Sequence, residues 1–311
     1  MTELQLVTEG EHQHSRCAVW AREVGLSAAG TAPQADVFVL VEHPLPWSSD
    51  IGSDPLLREL QEVAAQQAGP ARSVRLQAAA VDAEQPLRKV VVFQAAVAPF
   101  TGYGRAEGLG AVEDLPELVA GLVGLEPRPP ISRDVTDVLV CTHGSRDTCC
   151  GSMGTRLWKE LEETVHDVRI WRTSHTGGHR FAPTVITFPD GNYWAHLDGA
   201  IVRGLVQRTL DPVAAARHLR GCAAFAPAVQ VADGAVLAAR GWEWLDCARF
   251  GDERAPTRVE LCFEAPSGER GGYDVLLDEG RRMPVPDCGA DPAAATKSQV
   301  ELTVANLRQW T

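Results

Sequence analysis

The chain has 311 residues, 45% of them hydrophobic and 23% charged, with a formal net charge of −12. That length supports a large buried core and predicts division into two domains, or two with an appendage. The acidic balance argues against nonspecific attachment to nucleic acid or to anionic membranes, since both want a basic face.

No stretch approaches the roughly 20 apolar residues that cross a bilayer. Met1–His14 is polar and acidic and lacks the order of a secretion signal, so a cytoplasmic protein is expected. The eight cysteines then read as reduced thiols or metal ligands rather than disulfides.

Residues up to about Ala29 have little periodicity; His12 and His14 read as part of a solvated tail, and Cys17 as a structural thiol. Asp36–Glu42 is a continuous apolar run that suits a strand covered on both faces, ended by His43-Pro-Leu-Pro-Trp47. Asp54 and Pro55 open a helix reaching about Gln67, with Leu56, Leu57, Leu60, Val63 and Ala64 on one stripe. Strands are expected over Ser73–Ala80 and Lys89–Phe93, and a helix over Asp114–Leu122. The stiff segment Glu126-Pro-Arg-Pro-Pro130 marks a domain boundary.

The order then repeats. Asp137–Cys141 predicts a strand, Thr155–Val165 a helix and Val168–Thr173 a strand. Thr184–Phe188 and Asn192–His196 flank the turn signal Pro189-Asp190-Gly191, and Ala200–Thr209 reads as a helix. The reading is α/β: two related lobes of thioredoxin-like size over 1–130 and 131–211, then a helical and β-strand extension over 212–311. In that extension helices are expected over Pro212–Leu219 and Pro227–Arg240, and strands over Arg258–Glu264, Tyr273–Leu277 and Glu301–Leu307. Cys222, Cys247, Cys262 and Cys288 stand 14 or more positions apart and read as structural thiols.

Val138–His179 carries the chemistry. Cys141, Cys149 and Cys150 with His143, His175 and His179 put three thiols and three imidazoles within 39 positions, on two glycine-bearing loops that each follow a strand. Cys141 and Cys150, with the pair His175-x3-His179, make a Cys2His2 donor set with one pair from each loop. A structural zinc is one reading, but its usual cysteine gap is two to four residues. A thiol–disulfide oxidoreductase is another, although no C-x-x-C is present. A long cysteine-bearing loop plus a second pair four apart is better matched to a cluster of two irons.

These residues resemble the sucrase/ferredoxin-like proteins, relatives of the thioredoxin-like [2Fe–2S] ferredoxins. The resemblance rests on Cys141-x-His143-x-x-Arg146-Asp147-x-x-Cys150-Gly151, His175-x-x-Gly178-His179, Pro183 and Phe188-Pro-Asp-Gly191. It extends more weakly to Gly30-Thr31-Ala32 and Glu42–Trp47. It implies a [2Fe–2S] cluster with Cys141 and Cys150 on the inner iron and His175 and His179 on the outer. The family pattern has one cysteine before the glycine, so Cys149 stands as a spare candidate, as does His143. No pair of carboxylates suited to glycosidic chemistry supports the word sucrase.

The implied function is one-electron transfer by a carrier rather than a catalyst, with a redox partner protein that docks through a basic face. Neutral imidazoles in place of two thiolates raise the potential, and their second protons would couple it to pH. Arg146 and Asp147 are expected to brace the loop as an ion pair, and Trp171, Tyr193 and Trp194 to be core aromatics.

Overall fold

A computed structural model describes residues 16–96 and 98–310; His12 and His14 lie outside the described residues. Cys17–Glu23 forms helix α1, where the sequence offered no period to read. Strand β1 (Val37–Pro44) leads through helix α2 (Pro55–Ala68) to β2 (Val74–Val81), then to β3 (Arg88–Ala95), β4 (Tyr103–Gly110) and helix α3 (Leu115–Val123). Strand β5 (Asp137–Cys141) leads through α4 (Thr155–Thr164) to β6 (Arg169–Thr173), then to β7 (Val185–Phe188), β8 (Asn192–Trp194) and α5 (Gly199–Val206). Helix α6 (Pro212–His218), strand β9 (Leu219–Cys222) and helix α7 (Pro227–Arg240) precede strands β10 (Ala248–Ala255), β11 (Arg258–Glu264), β12 (Arg270–Pro284) and β13 (Ser298–Trp310).

The first nine strands make one mixed sheet of order β4-β3-β1-β2-β6-β5-β7-β8-β9. β1 pairs parallel with β2 and antiparallel with β3, and β5 likewise pairs parallel with β6 and antiparallel with β7. The quartets β4-β3-β1-β2 and β8-β7-β5-β6 therefore share one order and meet edge to edge where Ala79 of β2 pairs with Thr173 of β6.

Both faces of β1 are covered, which is why its sequence is an unbroken apolar run. Val37, Val39 and Val41 pack with Leu57 and Leu60 of α2 and Leu115 and Val119 of α3. Phe38 and Leu40 belong to the larger core on the other side. There the sheet curls on itself, so that Phe93 of β3 stacks on Phe188 of β7 with ring centroids 3.9 Å apart. Such a pair stabilises the fold by about 1 kcal/mol beyond its buried area.

Helix α2 starts where Asp54 Oδ1 accepts the Leu57 amide at 3.0 Å, with Pro55 at its first position.

The remaining strands form an antiparallel sheet, β10-β11-β12-β13, with α7 packed between it and β9. β9 departs from the sequence reading, which carried the preceding helix into Leu219; four residues are too few for an alternating pattern to register. The β12–β13 hairpin is latched to the N-terminal segment. Glu301 accepts the Ser27 amide at 2.8 Å, and Arg281 donates to the carbonyls of Val24 and Gly25 at 3.0 and 2.9 Å. Among the described residues no helix is long and apolar enough to cross a membrane.

Candidate metal centre

Cys141 ends β5, a strand buried at all five positions. The chain then turns through Thr142–Cys149 and enters a single π-helical widening, Cys150–Gly154, which runs into α4. Such widenings concentrate at functional sites. The turn lies so close to the strand end that a Cβ on Gly154 would stand 1.9 Å from the Cys141 carbonyl oxygen, a position only glycine can occupy.

Asp147 fixes the turn from inside. It is 5% exposed, and its Oδ1 accepts the amides of Cys149 and Cys150 at 2.9 and 3.2 Å. Its Oδ2 lies 3.1 Å from His179 Nδ1. Burial pushes this carboxyl up, but the His179 contact and the two amides outweigh it and hold it below the ordinary carboxylate value. The sequence reading paired Asp147 with Arg146; instead Arg146 is exposed and the loop is braced through backbone amides and His179.

Three of the four expected ligands converge. Sγ of Cys141, Sγ of Cys150 and a ring nitrogen of His175 all lie within 4.8 Å of one another. His175 Nδ1 stands 3.9 Å from each sulfur. Both thiols are buried, and the two imidazoles are half-buried toward the surface. The Cys150 thiol and then the His175 ring hold Cys141 well below the usual thiol value, against burial. Cys150 is pushed up by its contact with Cys141 and by burial. Two sulfurs this close couple their ionisations, the loss of one proton opposing the loss of the other.

His179 is the fourth. Its ring centroid is 6.0 Å from that of His175, and its Nδ1 faces Asp147 and Cys17. With Nδ1 committed to a carboxylate, Nε2 is the nitrogen left for a metal, the arrangement that orients most ligating histidines. Soft thiolates with imidazoles are the donors that zinc and iron–sulfur clusters take.

The spare candidates separate cleanly. His143 has both nitrogens engaged: Nε2 donates to the Ser48 carbonyl at 2.8 Å, and Nδ1 accepts the His175 amide at 3.1 Å. It positions the histidine loop and has no lone pair to offer. Cys149 turns away from Cys141, to within 3.7 Å of Cys17 Sγ and 3.4 Å of Cys288 Sγ. The contact with Cys17 draws Cys149 down to about 6, despite burial. Cys17 and Cys288, expected to be plain structural thiols, are therefore side by side with a cysteine of the loop.

The histidine loop depends on Gly178, in the left-handed region at φ 72°, where a Cβ would meet Arg220 at 2.5 Å. Arg220 is 1% exposed, donating to the carbonyls of Gly177 and Thr31 at 2.9 and 2.6 Å. Sequence reasoning missed this brace; the neighbouring Gly30-Thr31-Ala32 similarity was its only trace. An open groove of about 550 Å³ runs between Leu45–Trp47 and the cysteine loop, with His143 and Gly151 on its wall. Two other clefts of similar size lie away from the thiols, and neither is lined by cysteine or histidine.

Two yeast proteins share part of this sequence. Both are called altered inheritance of mitochondria protein 32. The one from Meyerozyma guilliermondii is 34% identical over 89 residues, 25% of this chain and 32% of its own length. The one from Clavispora lusitaniae is 33% identical over 88 residues, 26% of this chain and 32% of its own length. The chain thus matches about a third of the length of these relatives. No solved structure matches. A model of the sucrase/ferredoxin-like family matches residues 28–221, which span the whole nine-stranded sheet but for its final residue, and the chain belongs to that family.

Proposed function

We propose that this protein is an electron carrier built on a [2Fe–2S] cluster, with Cys141 and Cys150 holding the inner iron and His175 and His179 the outer. The observation that carries the reading is the convergence of two buried thiols with His175, at the strand end where His179 also stands. Each strand quartet with its crossover helix is then read as a thioredoxin-like lobe, supported by the shared order and by the parallel pairs β1–β2 and β5–β6.

Once bound, such a cluster would accept and return a single electron. The chain's own residues do the rest. Cys141 and Cys150 keep water from the inner side, while the half-buried imidazoles face the direction from which a partner approaches. His179 holds a proton at Nδ1 against Asp147 Oδ2, which gives the outer side a place to release or take up a proton as the charge changes. The net charge of −12 suits a redox partner with a basic docking face, and a cytoplasmic setting suits a chain whose thiols stay reduced.

Purification without oxygen, followed by iron and sulfide counting and an absorption spectrum, tests the reading. About two irons and two acid-labile sulfides per chain, in a red-brown protein bleached by dithionite, are expected. A colourless preparation holding zinc at Cys141, Cys150 and His175 would replace the proposal with a structural single-ion site.

A further inference from the structure

Beside the first donor group lies a second, joined to it through the contacts of His179 with Asp147 and Cys17. Cys17 Sγ, Cys149 Sγ, Cys288 Sγ and a carboxylate oxygen of Asp147 all lie within 4.8 Å of one another. They come from three separate parts of the chain: α1, the cysteine loop and the connection between β12 and β13. Cys17 and Cys288 lie outside residues 28–221, so half of this group is added to the region that the family shares.

The spacings match a tetrahedral ion better than a closed disulfide. Cys17 and Cys149 sulfurs are 3.7 Å apart, Cys149 and Cys288 sulfurs 3.4 Å, and Cys17 Sγ stands 3.8 Å from Asp147 Oδ2. A tetrahedron with zinc–sulfur arms of about 2.3 Å has edges of about 3.8 Å. A disulfide brings its sulfurs to about 2.05 Å. Cys17, Cys149 and Asp147 are 2%, 0% and 5% exposed, and the half-buried Cys288 leaves a way in. A carboxylate buried against three sulfurs is costly unless a cation or a donor offsets its charge, and a cation would also draw the sulfurs in as thiolates.

We propose that Cys17, Cys149, Cys288 and Asp147 form a structural zinc site. Three sulfur donors exclude magnesium and calcium, and four protein ligands leave no open position for catalysis. The ion pins α1 and the β12–β13 connection onto the cysteine loop, adding to the latch that Glu301 and Arg281 make. The adjacent residues Cys149 and Cys150 thereby serve different centres. Asp147 touches both, since a carboxylate has lone pairs for an ion at one position and for His179 at another.

Metal analysis of the full chain, purified without chelator, tests the assignment. About one zinc per chain is expected, falling at least tenfold in Cys17→Ser/Cys288→Ser while iron and sulfide stay at the level of the parent. Cys141→Ser should lose iron and keep zinc, so the two centres fail independently. Cys288→Ser alone, at a half-buried position, guards against a variant that does not fold. After metal stripping, cobalt(II) should give thiolate-to-metal charge-transfer bands in Cys141→Ser/Cys150→Ser, where the first centre has lost its sulfurs, and should give none once Cys288→Ser is added to that pair. Zinc that persists in the double variant, zinc lost from Cys141→Ser instead, or a Cys149–Cys288 disulfide in a zinc-free parent would each overturn the proposal.

Discussion

The quartets β4-β3-β1-β2 and β8-β7-β5-β6 have the same order and the same mixture of parallel and antiparallel pairs, but their loops carry different chemistry. After β1 the chain runs through Pro44, Pro46 and Trp47, and His43 Nε2 faces Asp54 at 3.3 Å. After β5 it runs through Cys141, His143, Cys149 and Cys150. The first loop supports the second: the carbonyl of Trp47 accepts from Ser145 at 2.6 Å, and that of Ser48 accepts from His143. With two similar frames side by side, one copy can serve as a buttress while the other gives its loops to soft donors.

The sharpest way to break that division is to remove one sulfur. Cys150→Ser should abolish iron binding, at least tenfold by metal analysis, whereas Cys149→Ser should keep iron because its thiol faces Cys17 and Cys288. Equal loss in both would erase the distinction between neighbouring cysteines.

Next in size is the close approach at the second loop. Gly154→Ala should cost about 3 kcal/mol or more in a urea melt, since backbone cannot retreat as a side chain can. Gly52, in the corresponding loop of the first quartet, would meet only the Asp50 side chain, at 3.3 Å. Gly52→Ala should therefore stay within about 1 kcal/mol.

The strand starts differ too. β1 opens with buried Val37, β5 with Asp137, whose Oδ1 accepts from Arg169 Nε at 2.7 Å and Trp171 Nε1 at 2.9 Å. Burial raises the Asp137 carboxyl, but Arg169, Trp171 and Arg105 prevail and hold it below its ordinary value. Asp137→Asn should cost about 2 kcal/mol, read as a lowered urea midpoint at neutral pH. The difference from the parent should shrink as pH falls below about 3.9 and through the depressed folded value, where the parent carboxylate is itself lost.

The smallest effect is at His196, just after β8, which burial and then Arg22 press down to about 4. The unfolded chain binds this proton near pH 6.5 and the folded chain refuses it until about 4, so stability falls as pH falls through that window. His196→Asn, tolerated at φ 56°, should lessen the loss between pH 7 and 5 by about 1 kcal/mol.

Much of the second quartet was legible because its signals are local. β5 has the bounds read from sequence, four apolar residues after Asp137, and α4 ends one residue short of its expected end at Val165. β4 was not legible: Tyr103–Gly110 holds three glycines, and Gly108 is small because Leu118 of α3 packs where its side chain would be. β10 is a half-polar edge strand, and α1 has fewer than two full turns. At the site, Cys141, Cys150 and the H-x3-H pair could be read from spacing. The partners of Cys149 could not, because Cys17 and Cys288 are 132 and 139 positions away and neither sits in a ligand-like motif. Asp147 was assigned the wrong partner for the same reason, His179 being reached only through the fold.

Pulsed electron paramagnetic resonance of the dithionite-reduced protein tests the central claim most directly. Strong nitrogen hyperfine couplings from both imidazoles are expected, one vanishing in His175→Cys and the other in His179→Cys. A reduced cluster without such couplings, or one unchanged by either substitution, would contradict the assignment of the histidines to iron.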